Sequence, residues 1–118
     1  EWHFDLSWKP LEGFPTRAGW FRAIHRAQAE VADGLAIGQP VLLLHAARSA
    51  HPTEWNDDVQ SADIVLAVDD MVRLAPGLGA QVEVHAIEGG IHDLVLSAEP
   101  ARRRTFELLA GWLQRIRG

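Results

Sequence analysis

Val41-Leu42-Leu43-Leu44 sets four aliphatic side chains in unbroken succession, after the turn formers of Gly38-Gln39-Pro40 and before a polar stretch from Arg48 to Ala62. A strand sends successive side chains to opposite faces, so this run is apolar on both. Strands of that kind belong in parallel sheets covered by helices on either side. A second strand is expected over Gln81–Ile87, where Val82, Val84, Ala86 and Ile87 are apolar. Helical spacing marks three other segments. Thr16 to Ala32 carries a stripe of Trp20, Ile24, Ala27 and Val31, with Phe21 beside it, and Asp33-Gly34 stops it. Val68 to Leu74 is a short helix ended near Pro76-Gly77. Pro100 to Ile116 carries Phe106, Leu109, Leu113 and Ile116, flanked by Trp112. His51-Pro52-Thr53-Glu54 is a further helix start, with Pro in the first turn. Strands alternating with helices give the α/β class with parallel strands. Two parallel strands do not make a self-sufficient sheet, so missing segments or another chain are expected to complete it.

The rest of the composition narrows the classes. The 118 residues suit one modest domain, and 47% hydrophobic content argues against disorder. The net charge of −5 is scattered and argues against a nucleic-acid partner. Arg102-Arg103-Arg104 is too short to reverse that, and it is expected to face solvent or a partner carboxylate. The absence of cysteine excludes a disulfide framework and thiolate metal sites, and fits a cytoplasmic setting. No apolar run approaches the roughly 18 residues of a membrane span. The chain opens on Glu1-Trp2-His3-Phe4-Asp5 and reads as a break inside a longer polypeptide. Trp2, Phe4, Trp8 and Phe14 lie among turn formers from Glu1 to Pro15. They are expected to form a docking strap over the domain, or else a lid or pocket wall.

The residues that suggest chemistry follow the strands. Asp63 lies in the loop beyond the first strand. His92 lies in Glu88-Gly89-Gly90-Ile91-His92-Asp93, directly after the second. Active groups of open α/β sheets gather beyond the carboxyl ends of the strands, so the two can reach one rim. A carboxylate beside an imidazole fixes its tautomer and stabilises its charged form, which a general base acting on a nucleophile requires. Gly89 and Gly90 permit the sharp turn that presents His92.

With Pro40–His45, an Asp-bearing loop, Ile87–Asp93 and Phe106…Leu109…Trp112-Leu113 in this order, the chain resembles the C-terminal segment of α/β-hydrolases. The subgroup it looks most like is the serine aminopeptidase-like or monoacylglycerol lipase-like "lysophospholipase" group. The resemblance covers roughly residues 40–116. It implies that residues 1–39 are the end of a lid region and the following helix, and that 40–118 are the closing strand–loop–helix–strand–helix of the core. It implies catalytic roles for Asp63 as triad acid and His92 as triad base, with no cofactor and no metal. The expected function is the C-terminal portion of a serine hydrolase acting on an ester or related acyl bond, inactive alone. Its expected partners are a small-molecule or lipid-like acyl substrate and the missing N-terminal part of the same protein. The chain departs from the family in two respects. Ala46 to Ala62 intervene before the acid, where the family uses a short turn, and no nucleophile or oxyanion hole is present.

Other readings stay open. Asp63 can cap a short helix over Ile64–Asp69, and His92 can be an ordinary loop histidine. Asp57, Asp58, Asp69 and Asp70 are rival acids, although Asp69 and Asp70 suit the first turn of a helix. Asp93 can orient a neighbouring backbone group. His3, His25, His45, His51 and His85 lack metal-ligand spacing. Ser7, Ser49, Ser61 and Ser97 lack the flanking glycines of a nucleophile elbow, and Ser61 and Ser97 read as cap or turn residues. A non-catalytic α/β binding or self-association module, a homo-oligomer formed through its uncovered sheet edge, is the alternative function. A pseudo-enzyme is a third.

Overall fold

The computed structural model describes residues 5–118. Helix α1 (Ala18–Asp33) leads to strand β1 (Val41–Ala46), helix α2 (Val68–Leu74), strand β2 (Val82–Ile87) and helix α3 (Glu99–Arg117). The two strands pair in parallel, with Val41 opposite Val82 and Ala46 opposite Ile87. The protein is therefore mixed α/β, with a two-stranded parallel sheet among the described residues. The helix start expected at His51–Glu54 does not form. The excursion instead makes a 3₁₀ turn at Asp57–Gln60, whose exposed N–H of Asp58 is satisfied by the Asn56 side chain at 2.9 Å. Asn is a better N-cap than His51, the residue directly before Pro52.

The register sorts the side chains into two layers. Leu42, Leu44 and Ala46 share a face with Glu83, His85 and Ile87. Helix α3 covers this face, and Arg115 on it donates to both carboxylate oxygens of Glu83 at 2.7 Å. Leu43 lies on the opposite face and lines a groove with Val31 of α1 and Met71 and Leu74 of α2. The buried core is small: Ala46, Ala62, Val68, Ala75, Ile87 and Ala101.

Two glycines let the backbone segments close on one another. Gly34 ends α1 at φ 94°, a left-handed conformation that favours Gly. Gly79 forms an isolated parallel bridge with Ile37 ahead of the strands, and a Cβ there would collide with the Ile37 carbonyl oxygen.

The helices bury different faces from those expected. On α3, Ala101 and Thr105 are buried and Leu108 and Trp112 half-buried, whereas Phe106, Leu109, Leu113 and Ile116 are 36–51% exposed. Small residues let the helix approach the sheet closely, and the larger stripe is left beside the contact. On α1, Trp20, Phe21 and Ile24 stay exposed. The docking strap is corrected at its two described aromatics: Trp8 and Phe14 are 81% and 72% exposed, too open to be packed over a domain. Trp2 and Phe4 lie outside the described residues. The accessible surface is 9092 Å², against roughly 6,400 Å² for a folded monomer of this mass. The radius of gyration is 16.2 Å, against about 13.5 Å for this length. Much apolar surface is thus left without cover. No helix of the described residues is long and apolar enough to cross a membrane.

Candidate active site

Asp63 is held by its backbone before its side chain is considered. Its N–H donates to the Arg48 carbonyl at 3.0 Å, and its carbonyl accepts from Ala50 N–H at 2.9 Å. These bonds form a parallel bridge between Ser49 and Asp63. The long excursion is therefore zipped at its base, and in space the acid sits just past the end of β1. Arg48 fastens the excursion from inside, donating to Asp58 at 2.6 Å and to the Ser61 hydroxyl at 3.1 Å. Ser49 holds the segment beyond Asp63: its hydroxyl donates to the Leu66 carbonyl at 2.7 Å and accepts from Val68 N–H at 2.8 Å.

The Asp63 side chain divides its two oxygens between two tasks. Oδ1 accepts from the N–H groups of Val65 and Leu66, both at 2.8 Å. That is a side-chain-capped turn. The helix expected after it starts only at Val68, so the capping role falls on the turn. Oδ2 lies 3.1 Å from Nδ1 of His92. A carboxylate only accepts, so Nδ1 carries the proton and donates it. The carboxyl is almost wholly buried, at 4% side-chain exposure, and the imidazole is 45% exposed. Burial pushes the Asp63 pKa up. The N–H groups of Leu66 and Val65, together with the His92 hydrogen bond and charge, outweigh burial and hold it below the ordinary carboxylate value.

His92 reaches this position through a tight turn at the end of β2. Gly90 N–H donates to the Ile87 carbonyl at 3.1 Å, with Gly89 at φ 69° between them. Gly90 is buried, and a Cβ there would lie 2.7 Å from Leu94 Cδ2 and 3.0 Å from the Ile87 carbonyl oxygen. One glycine serves conformation and the next serves space. A shallow cleft of about 370 Å³ opens beside the imidazole, lined by Leu44, His92, Asp93, Leu94, Val95 and Thr105. No hydrogen bond from a described residue engages Nε2 of His92.

The rival groups are otherwise engaged or placed apart. Asp58 pairs with Arg48, and Asp70 with Arg73 at 2.7 Å. Asp57 starts the 3₁₀ turn, and Asp69 and Asp70 stand in the first turn of α2, the position their sequence suggested. Asp93 precedes a 3₁₀ turn at Leu94–Leu96 without capping it. Arg103 pairs with Glu99 at 3.2 Å and Arg104 with Glu107 at 3.7 Å, so carboxylates on the same helix meet the basic cluster. His45 is buried with Nδ1 2.7 Å from the Ala46 carbonyl oxygen. His85 pairs with Glu83 at 2.7 Å, which with Arg115 keeps the Glu83 pKa low. Among the described residues no group of three His, Asp or Glu is arranged to hold a metal.

Sequence reasoning passed over Ser49 and the supporting part of Ser97. Their hydroxyls act on backbone groups 17 and 19 residues on from Ser49 and six residues back from Ser97, and no spacing signals that. Comparison with protein-family profiles, with curated proteins and with solved structures finds no match to this chain.

Proposed function

We propose that this chain provides the acid and base of a serine-type hydrolase of α/β-hydrolase architecture, acting on an ester or related acyl bond. The observation that carries the reading is the hydrogen bond from His92 Nδ1–H to the buried Asp63 carboxylate, with Nε2 left open beside a cleft. In that arrangement Nε2 is the lone pair that takes a proton from a serine hydroxyl. Asp63 keeps the ring in the tautomer that exposes this lone pair and stabilises the imidazolium as the hydroxyl attacks. The imidazolium then returns the proton to the leaving alcohol, and His92 activates water in the second half-reaction. The serine and the oxyanion donors come from outside these residues. None of the described serine hydroxyls bonds His92, and those of Ser49, Ser61 and Ser97 hold backbone groups.

The uncovered apolar surface and the free edge of β1 support a sheet completed by further strands. The exposed Trp8 and Phe14 suit a hydrophobic, lipid-like acyl group. The test is turnover of short-chain p-nitrophenyl esters by the full-length protein and its His92→Ala variant. A loss of about 10⁴-fold is expected, and unchanged turnover removes His92 from the mechanism.

The same free edge and surface excess favour one second reading, a self-association module without chemistry. Light scattering on a sizing column separates the two. A monomer at micromolar concentration sets self-association aside.

A further inference from the structure

The imidazole is exposed on one side, stands in a loop, and makes one hydrogen bond to the protein. Something else must hold it over Asp63. His92 lies in a short loop that leaves the Gly89-Gly90 turn and returns at Ser97, before α3 begins. Ser97 is 2% exposed, and its hydroxyl oxygen accepts from the N–H of Ile91, the residue next to His92, at 3.0 Å. The base of the latch is itself fixed. Ser97 N–H donates to the Leu94 carbonyl at 3.3 Å, and its carbonyl accepts from Arg102 of α3 at 3.3 Å. The Ile91–Ser97 bond closes the loop across its neck. It transmits the position of α3 to the backbone that carries the imidazole.

We propose that Ser97 is a positioning residue for the His92–Asp63 pair: its buried hydroxyl latches the histidine loop so that Nδ1 meets the carboxylate. The inference takes its functional meaning from the hydrolase reading, but its physical content is separate. Without the latch the loop gains freedom, the ring leaves the carboxylate, and nothing then selects the tautomer with hydrogen on Nδ1. The hydroxyl's role as acceptor is specific. Alanine removes it, and cysteine keeps the size but is a weak acceptor.

The experiment is long-range ¹H–¹⁵N NMR of the histidine rings in the full-length protein, at about pH 8, where an unperturbed imidazole is neutral. His92 of the unaltered protein is expected to show the Nδ1–H form. In Ser97→Ala the ratio of Nδ1–H to Nε2–H tautomers is expected to fall about tenfold, the equivalent of one net hydrogen bond. The backbone spectrum away from residues 88–98 should stay the same. Should the alanine variant not fold, Ser97→Cys takes its place with the same expected fall. An unchanged ratio in the folded variant overturns the proposal. This outcome is distinct from failure of the hydrolase reading: if His92→Ala leaves ester turnover intact while Ser97→Ala still shifts the tautomer, the latch stands and the hydrolase does not.

Discussion

Asp63 Oδ2 lies 3.1 Å from His92 Nδ1 although 29 residues separate them along the chain. The carboxylate is buried and held through its other oxygen, so the contact does not depend on a mobile acid. Asp63→Asn would keep an acceptor for the Val65 and Leu66 N–H groups while turning a donor toward Nδ1. The ring would then be driven to the opposite tautomer. On the proposed hydrolase reading, kcat of the full-length protein is expected to fall about 10⁴-fold with little change in secondary structure. Steady-state kinetics beside circular dichroism checks both halves.

The depressed pKa of Asp63 makes stability depend on acidity with a defined sign. The folded carboxyl binds its proton less readily than the unfolded one. Its contribution is complete above the unfolded pKa of about 3.9 and is lost as pH falls through the folded value. Urea midpoints measured from about pH 6 downward should drop in that acidic window, and Asp63→Asn should flatten the drop.

Gly90→Ala tests the space beneath the histidine loop. The new methyl would meet Leu94 Cδ2 at 2.7 Å and the Ile87 carbonyl oxygen at 3.0 Å, so the Leu94 side chain must turn away and the backbone of the turn must give by a few tenths of an ångström. A destabilisation of about 1–3 kcal/mol is expected, measured by chemical denaturation, together with, on the proposed hydrolase reading, a loss of turnover as His92 is displaced.

Ile87 is the largest fully buried side chain, at the point where β2 passes into the histidine turn. Ile87→Ala should cost about 2–5 kcal/mol by removing methyl groups from a site packed on all sides. By contrast, Phe106→Ala should cost less than Ile87→Ala in the same denaturation series, because Phe106 is half exposed.

The parts of the fold that follow from local pattern were legible in the sequence. The unbroken aliphatic run became β1, the Val82–Ile87 run became β2, and the helix ends fell within a few residues of their Gly and Pro signals. What could not be read was which side of a helix faces inward. Phe106, Leu109, Leu113 and Ile116 make the stronger apolar stripe, yet Ala101 and Thr105 are the buried residues of α3, because close approach rewards small side chains. The aromatic residues between Leu6 and Phe14 announced packing that the described fold does not offer them. At the site, the sixteen residues from Ala47 to Ala62 put Asp63 far down the chain from the end of β1. The backbone bridge to Ser49 that removes the difficulty uses N–H and C=O groups, which every residue carries and no motif marks.

Parallel pairing of β1 and β2 has a last consequence for how such a chain can change. The gap between acid and base is governed by the lateral spacing of two neighbouring strands, while the intervening chain merely loops away and comes back. Residues added at the exposed tip of the excursion, between Thr53 and Trp55, would alter the ornament of the surface and leave the meeting of Asp63 and His92 untouched. A one-residue slip of β2 against β1 would do the reverse, exchanging the two sides of the sheet and carrying the histidine turn away with it.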